Sequence, residues 1–247
     1  VILCMGTRLI QSGDVDQVAC TGAELTVSSI GLAAFCRMRA LAKMWPADET
    51  KSIRPFDRDR SGTIFGDGAG CLILEGLDSA VKRGAKIYAE VAGFGLTDDA
   101  YHVTAPDPSG DGAFHCMKFA LKNAGVAPDK IDYINAHGTG TPYNDVMETN
   151  AIKRVLGDRA YQIPVSSTKS MIGHCIGAAG AIEAIVTIKT INDGIVPPTI
   201  NLENPDPECD LDYVPNVARK QAVRTAMSNN FGFGGHNASI IFKRFEG

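Results

Sequence analysis

A stretch of about 18 consecutive apolar residues, the length a membrane-crossing helix needs, is missing from this 247-residue chain, and no signal-peptide pattern stands at its start. Neither sign of charge dominates: 24 Lys and Arg face 28 Asp and Glu, a formal charge of −4 and a pI near 5.7. Without a block of like charges, composition offers no reason to expect nucleic acid, and any basic docking patch is local. Paired cysteines are missing as well. Seven thiols (Cys4, Cys20, Cys36, Cys71, Cys116, Cys175, Cys209) lie scattered without a C-x-x-C, mostly in apolar runs, which reads as buried thiols in a reducing compartment. There is no H-E-x-x-H, no G-x-x-x-x-G-K-[ST], and the Gly66 to Gly70 cluster is too short for a nucleotide fingerprint. Tandem repeats and low-complexity tracts are absent too. The expectation is a soluble, cytoplasmic protein with no membrane, nucleic-acid or metal partner.

What is present is an ordinary globular composition, 45% apolar, enough to bury a large core as one domain or two smaller ones. The opening residues 1–10 look helical and stop near Gly13, yet no Ser, Thr, Asp or Asn precedes them as an N-cap, so the chain is expected to be the C-terminal part of a longer one. Strands are expected over 17–21, 68–75, 86–94, 131–135, 163–167, 226–230 and 238–242. Helices are expected over 77–83, 112–123, 145–156 and 177–191, and alternation of the two argues for a layered α/β fold. Residues 45–59 and 205–215 and the Pro197-Pro198 pair read as loops.

Chemistry concentrates in three glycine-rich turns. His137, in Asn135-Ala136-His137-Gly138-Thr139-Gly140-Thr141, follows a strand end, where Gly138 and Gly140 permit close backbone approach. There a histidine can donate to a developing enolate or act as acid or base, typically worth about 10² to 10⁴ in rate. Taken alone it reads equally as a structural histidine bonded to the backbone. Thr139 and Thr141 add hydroxyls suited to the amides of an extended ligand. His174 precedes the small-residue run at Gly177, near a helix N-terminus, where the dipole keeps an imidazole neutral. Lys169 and Glu183 can form a charged pair that orients it; the other reading is a helix-packing motif. The third turn, Phe231-Gly232-Phe233-Gly234-Gly235, is either a plain hairpin or an oxyanion donor worth about 10² to 10³ in rate, with Phe233 gating an apolar pocket. His102, His115 and His236 read as structural or solvent-facing, and Cys116 as an incidental helix neighbour. Cys175 adjoins His174, but sequence neighbours usually point apart, so no nucleophile with a visible base emerges.

Together, in this order and spacing, the three turns resemble the β-ketoacyl-[acyl-carrier-protein] synthases of the thiolase-like superfamily, most of all the type II fatty-acid elongating enzymes. Arg54-Pro55-Phe56-Asp57, Gly66-Asp67-Gly68-Ala69-Gly70 and Pro197-Pro198-Thr199-Ile200-Asn201-Leu202 support the match, which spans essentially the whole chain. The resemblance implies a five-layer αβαβα sandwich of two similar halves. Residues 1–84 would be the C-terminal part of an incomplete first half, and 85–247 the second half. It implies a decarboxylative Claisen condensation of an acyl thioester with malonyl-carrier protein in fatty-acid elongation. His137 and His174 would be the histidine pair that assists decarboxylation, Lys169 and Glu183 the supporting charged pair, and Phe233 the gate whose N–H joins the oxyanion hole. Thr104, Thr139, Thr141 and Phe231 fall where the family contacts substrate, the threonines along the phosphopantetheine arm, and Arg39 where it docks the carrier. The partners implied are acyl carrier protein and, at full length, a second copy. No cofactor is expected, since phosphopantetheine arrives on the carrier.

One departure matters for activity. The family's nucleophilic cysteine belongs at the start of the helix that here begins at Val1, so it is expected just upstream, and the polypeptide alone is expected not to condense. Missing strands would leave a sheet edge and apolar faces uncovered, so poor solubility is expected. A polyketide-synthase ketosynthase shares the core motifs. A chain-length-factor-like partner typically lacks the histidine pair, and a biosynthetic thiolase carries a late Cys-x-Gly that is absent here.

Overall fold

A computed structural model describes residues 1–46 and 48–247; Ala47, within the loop expected over 45–59, lies outside the described residues. The chain opens with α1 (Ile2–Gln11), β1 (Gln17–Glu24), α2 (Ser29–Arg37), β2 (Gly68–Glu75) and α3 (Leu77–Lys82). It continues through β3 (Glu90–Asp98), α4 (Asp111–Ala124), β4 (Tyr133–Asn135), α5 (Pro142–Leu156), β5 (Val165–Ser166) and α6 (Lys169–Ile172). The last elements are α7 (Ile176–Asp193), β6 (Ile195–Val196), β7 (Arg219–Lys220), β8 (Thr225–Phe231) and β9 (His236–Lys243).

Five strands form one mixed sheet in the order β3-β9-β8-β4-β5, with β4 parallel to β5 and β8, and β9 antiparallel to β8 and β3. Strand alternation then divides the core in two. Tyr133, Ala226, Ile240 and Phe242 face α1 and α7, while the intervening Ile134, Met227 and Ile241 face α4 and α5. Beyond α7 lies the antiparallel pair β1–β2, in register from Gln17 opposite Glu75 to Glu24 opposite Gly68. Close packing there depends on having no side chain: a Cβ on Gly22 would sit 2.8 Å from the Gly177 carbonyl. The layers therefore run β, α, β, α, a ketosynthase-like α/β sandwich. The outer face of β1–β2 leaves Thr21, Cys71 and Ile73 exposed.

The differences from expectation are local. Strand β3 begins at Glu90 rather than at residue 86, because its pairing with β9 ends where Glu90 meets Lys243. The strands expected over 131–135 and 163–167 shorten to three and two residues. Helix α5 starts three residues early at Pro142, with Pro at its first position and Thr141 as N-cap. Helix α2 went unanticipated and buries no residue; the Ser28 hydroxyl caps it by accepting from Gly31 N–H. Helix α1 has no side-chain cap at Val1, as expected, and ends before Gly13.

Candidate active site

The parallel strands β4 and β5 end side by side, and the chain beyond each carries one of the two histidines. After β4, the Ala136 N–H still reaches the Ser166 carbonyl at 2.9 Å, and His137 begins a turn held from above by α5. One buried carboxylate organises it: Glu148 Oε1 accepts from His137 N–H at 2.9 Å and Oε2 from Gly138 N–H at 2.8 Å. A second, Asp145 Oδ1, accepts from Gly140 N–H at 3.2 Å. Gly138, at φ 37°, packs against Ser167, whose hydroxyl donates to the Gly138 carbonyl at 2.6 Å. Thr139 and Thr141 share a hydrogen bond of 3.0 Å, and Thr141 Oγ1 accepts from Asn144 N–H. The Thr141 hydroxyl thus doubles as the N-cap of α5.

His174 is set by a different device. Its N–H donates to the Ile64 carbonyl at 2.7 Å and its own carbonyl accepts from Gly66 N–H at 3.2 Å, so the strand-like segment before β2 pins its backbone. Its Nδ1 accepts from Ile176 N–H, 3.1 Å away at the first residue of α7. A ring nitrogen that accepts carries no proton, so the neutral ring holds its hydrogen on Nε2. The two imidazoles meet edge to face with centroids 5.4 Å apart, and Phe231 packs 5.8 Å from His137.

Electrostatics favour neutral rings. Burial pushes both imidazoles well below their ordinary range, with the Lys169 ammonium adding to the effect on each. Lys169 is fully buried and forms an ion pair with Glu183, whose second oxygen accepts from the Asn230 amide at 2.9 Å. Burial raises the Glu183 carboxyl, opposed by Lys169 and Asn230. Burial likewise raises Glu148 to about 7 despite its two backbone donors.

The glycine turn between β8 and β9 closes the site from a third side. Gly232 N–H reaches the His236 carbonyl at 2.8 Å, Gly235 N–H the Gly232 carbonyl, and Gly234 N–H the Val103 carbonyl at 2.8 Å, a set that does not use the N–H of Phe233. Its ring is half-exposed and lies 5.9 Å from Phe35, which packs edge-on against Phe65. Thr104 is exposed beside Val103, so the structure brings it to this turn. Arg39 lies exposed just past α2, four residues beyond Phe35, outside the buried cluster. His102 accepts from Thr104 and Ala105 N–H, and exposed His236 pairs with Asp98 at 2.8 Å, both outside the imidazole pair.

Glu148, Asp145, Asn229 and Asn230 were not singled out by sequence reasoning. A signal did exist, since Asp145, Glu148 and Ile152 share one face of α5, and acids in an apolar stripe need partners. Five of the seven cysteines are buried as expected, and burial raises Cys4, Cys20, Cys116, Cys175 and Cys209; Cys36 on α2 and Cys71 on the outer face of β2 are exposed instead, because neither face is covered by another layer. Among the described residues no thiol hydrogen-bonds to either imidazole; Cys175 Sγ turns instead to the Ile172 carbonyl at 3.9 Å.

Two family profiles match the chain: "Beta-ketoacyl synthase, N-terminal domain" over residues 1–80 and "Beta-ketoacyl synthase, C-terminal domain" over residues 88–203. The chain is 53% identical over 239 residues to the 3-oxoacyl-[acyl-carrier-protein] synthase 2 of Synechocystis, covering 97% of this chain and 57% of that protein. Its counterpart from Coxiella burnetii is 50% identical over 237 residues, with 96% and 57% covered. Among solved structures, a type II polyketide ketosynthase in complex with its acyl-carrier protein superposes with a TM-score of 0.96 at 37% identity, covering 99% of this chain and 60% of that one. A β-ketoacyl synthase from Burkholderia phymatum gives 0.91 at 38%, covering 99% and 59%. The chain thus spans somewhat more than half the length of the proteins it matches.

Proposed function

The chain belongs to the β-ketoacyl synthase family, and we propose that it carries the decarboxylating side of a 3-oxoacyl-[acyl-carrier-protein] synthase active site. The observation behind this reading is the pair of imidazoles 5.4 Å apart, His137 buried and His174 partly so, both pushed toward the neutral form. A neutral ring with hydrogen on Nε2 donates one hydrogen bond to a thioester carbonyl without giving up its proton. When the malonyl carboxylate leaves as carbon dioxide, the electrons of the broken C–C bond move onto the α-carbon and the thioester oxygen. His137 and His174 hold that enolate oxygen. The α-carbon then attacks the acyl thioester, its thiolate departs, and the N–H of Phe233 faces the transient oxyanion.

In this reading Lys169 and Glu183 set the electrostatics of the pair, Thr104, Thr139, Thr141 and Phe231 line the path of the pantetheine arm, and Arg39 meets the acidic carrier. Residues 1–84 and 85–247 belong to two similar halves, a second copy completes the full-length enzyme, and the pathway is fatty-acid elongation in the cytoplasm. No helix among the described residues is long and apolar enough to cross a membrane. The acyl-accepting cysteine lies outside these residues, a reading supported by the lack, among the described residues, of any hydrogen bond from the seven thiols to either imidazole, so the polypeptide alone releases carbon dioxide without forming a new C–C bond. Retention of both histidines argues against a non-condensing partner. The likeness to a polyketide ketosynthase supports a second reading, the same chemistry on a longer β-keto chain.

The test is carbon dioxide release from malonyl-carrier protein by the chain and by His137→Ala and His174→Ala. Each substitution should lower the rate by about 10² to 10³. Release that survives both would overturn the assignment, and an acyl mass shift on any of the seven cysteines would overturn the missing nucleophile.

A further inference from the structure

Arg60 is nearly buried, comes from the loop ahead of β2, and spends its guanidinium on a segment some eighty residues away. Nε donates to the Thr141 carbonyl at 3.3 Å, Nη2 to the Pro142 carbonyl at 3.3 Å, and Nη1 to the Asp57 carbonyl at 2.9 Å and to the Asp206 carboxylate. Nε also lies 3.8 Å from Asp145 Oδ2. That carboxylate accepts from Phe56 N–H at 2.8 Å and, through its other oxygen, from Gly140 N–H. The Gly140 carbonyl in turn accepts from Gly62 N–H at 3.0 Å, two residues beyond Arg60.

The placement runs against helix electrostatics. A cation at the N-terminus of α5 is repelled by the positive end of the helix, and Asp145 and Asp206 offset it. What the arrangement does supply is geometry. A rigid fork grips two consecutive carbonyls and, through Asp145, the turn that carries His137, Thr139 and Thr141. A lysine keeps the charge but cannot span those acceptors.

We propose that Arg60 is a positioning residue for the 137–141 turn, acting on binding of the thioester arm rather than on the chemical step. This rests on the function proposed above. Glu148 holds the His137 and Gly138 end of the turn, so loss of Arg60 loosens chiefly the Thr139 to Thr141 end.

The experiment compares the parent chain with Arg60→Lys in decarboxylation of malonyl-carrier protein, alongside ¹⁵N spectra of the backbone amides. KM should rise about tenfold with kcat within about twofold, the signature of lost positioning in binding. An unchanged KM in a folded Arg60→Lys protein, or a fall in kcat alone, would overturn the proposal. Should Arg60→Lys not fold, Asp206→Asn removes one anchor and leaves the fork; a KM rise of about threefold supports the role and an unchanged KM refutes it. A parent chain that releases no carbon dioxide refutes the proposed function instead. The spectra then judge Arg60 separately: shifted or broadened Thr139 and Thr141 amide signals with an unaltered His137 amide support it, and identical spectra refute it.

Discussion

Replacing Glu148 by Gln should change how stability depends on pH, with a sign set by burial. Glu148 is wholly buried on α5, and its carboxyl is raised from 4.5 to about 7. Below pH 4.5 the group is protonated whether the chain is folded or not. Between 4.5 and about 7 the folded protein keeps a proton that the unfolded chain has lost, so stability declines as pH rises through that window and levels off above it. At 1.36 kcal/mol per pH unit, that window is worth about 3 kcal/mol. Glutamine has no such proton. The difference in unfolding free energy between parent and Glu148→Gln should therefore shift by about 3 kcal/mol in favour of the variant from pH 4.5 to pH 8. A separate cost independent of pH accompanies it, because an amide presents a donor to one of the two N–H groups that the carboxyl oxygens accept; an unsatisfied buried donor costs about 1–3 kcal/mol. Glu183 is also raised by burial, but it titrates in both proteins and cancels in the difference; Asp145, whose charge adds to the rise of Glu148, loses that repulsion in the variant and cancels only in part. Urea unfolding at half-unit pH steps measures both quantities. Parallel curves for the two proteins across the window would refute the reasoning.

Lys169→Met removes the ammonium that holds down both imidazoles, so the pKa of His174 should move up toward its ordinary value, read from ¹⁵N shifts against pH; an unmoved His174 would mean that burial alone sets it. Gly22→Ala would place a methyl 2.8 Å from the Gly177 backbone carbonyl, so β1 must back away from α7, with an expected loss of about 1–3 kcal/mol by urea unfolding. Stability equal to the parent's would show that the close packing of these layers is not required.

The layered order and most elements were legible because their periods are strong. The small-residue run that became α7 and the two runs flanking the glycine turn that became β8 and β9 needed no tertiary knowledge. Helix α2 buries no residue, and β3 was bounded by its partner's end rather than by its own composition, so neither limit could be read locally. At the site, the three turns stood out because glycine and histidine are informative in loops. Glu148 and Asp145 did not, because a carboxylate in a helix reads as surface unless the apolar face around it is traced. Arg60 lay further from reach. Its partners, Thr141, Pro142 and Asp206, are distant in sequence, and only folding brings them together.

The account turns on two imidazoles that stay neutral side by side, His174 with its hydrogen on Nε2. Ring ¹⁵N shifts of His137 and His174, followed from pH 5 to pH 8, test this most directly. The account predicts one protonated nitrogen per ring throughout, with Nδ1 of His174 unprotonated. An imidazolium signal from either ring at pH 6 or above would contradict it.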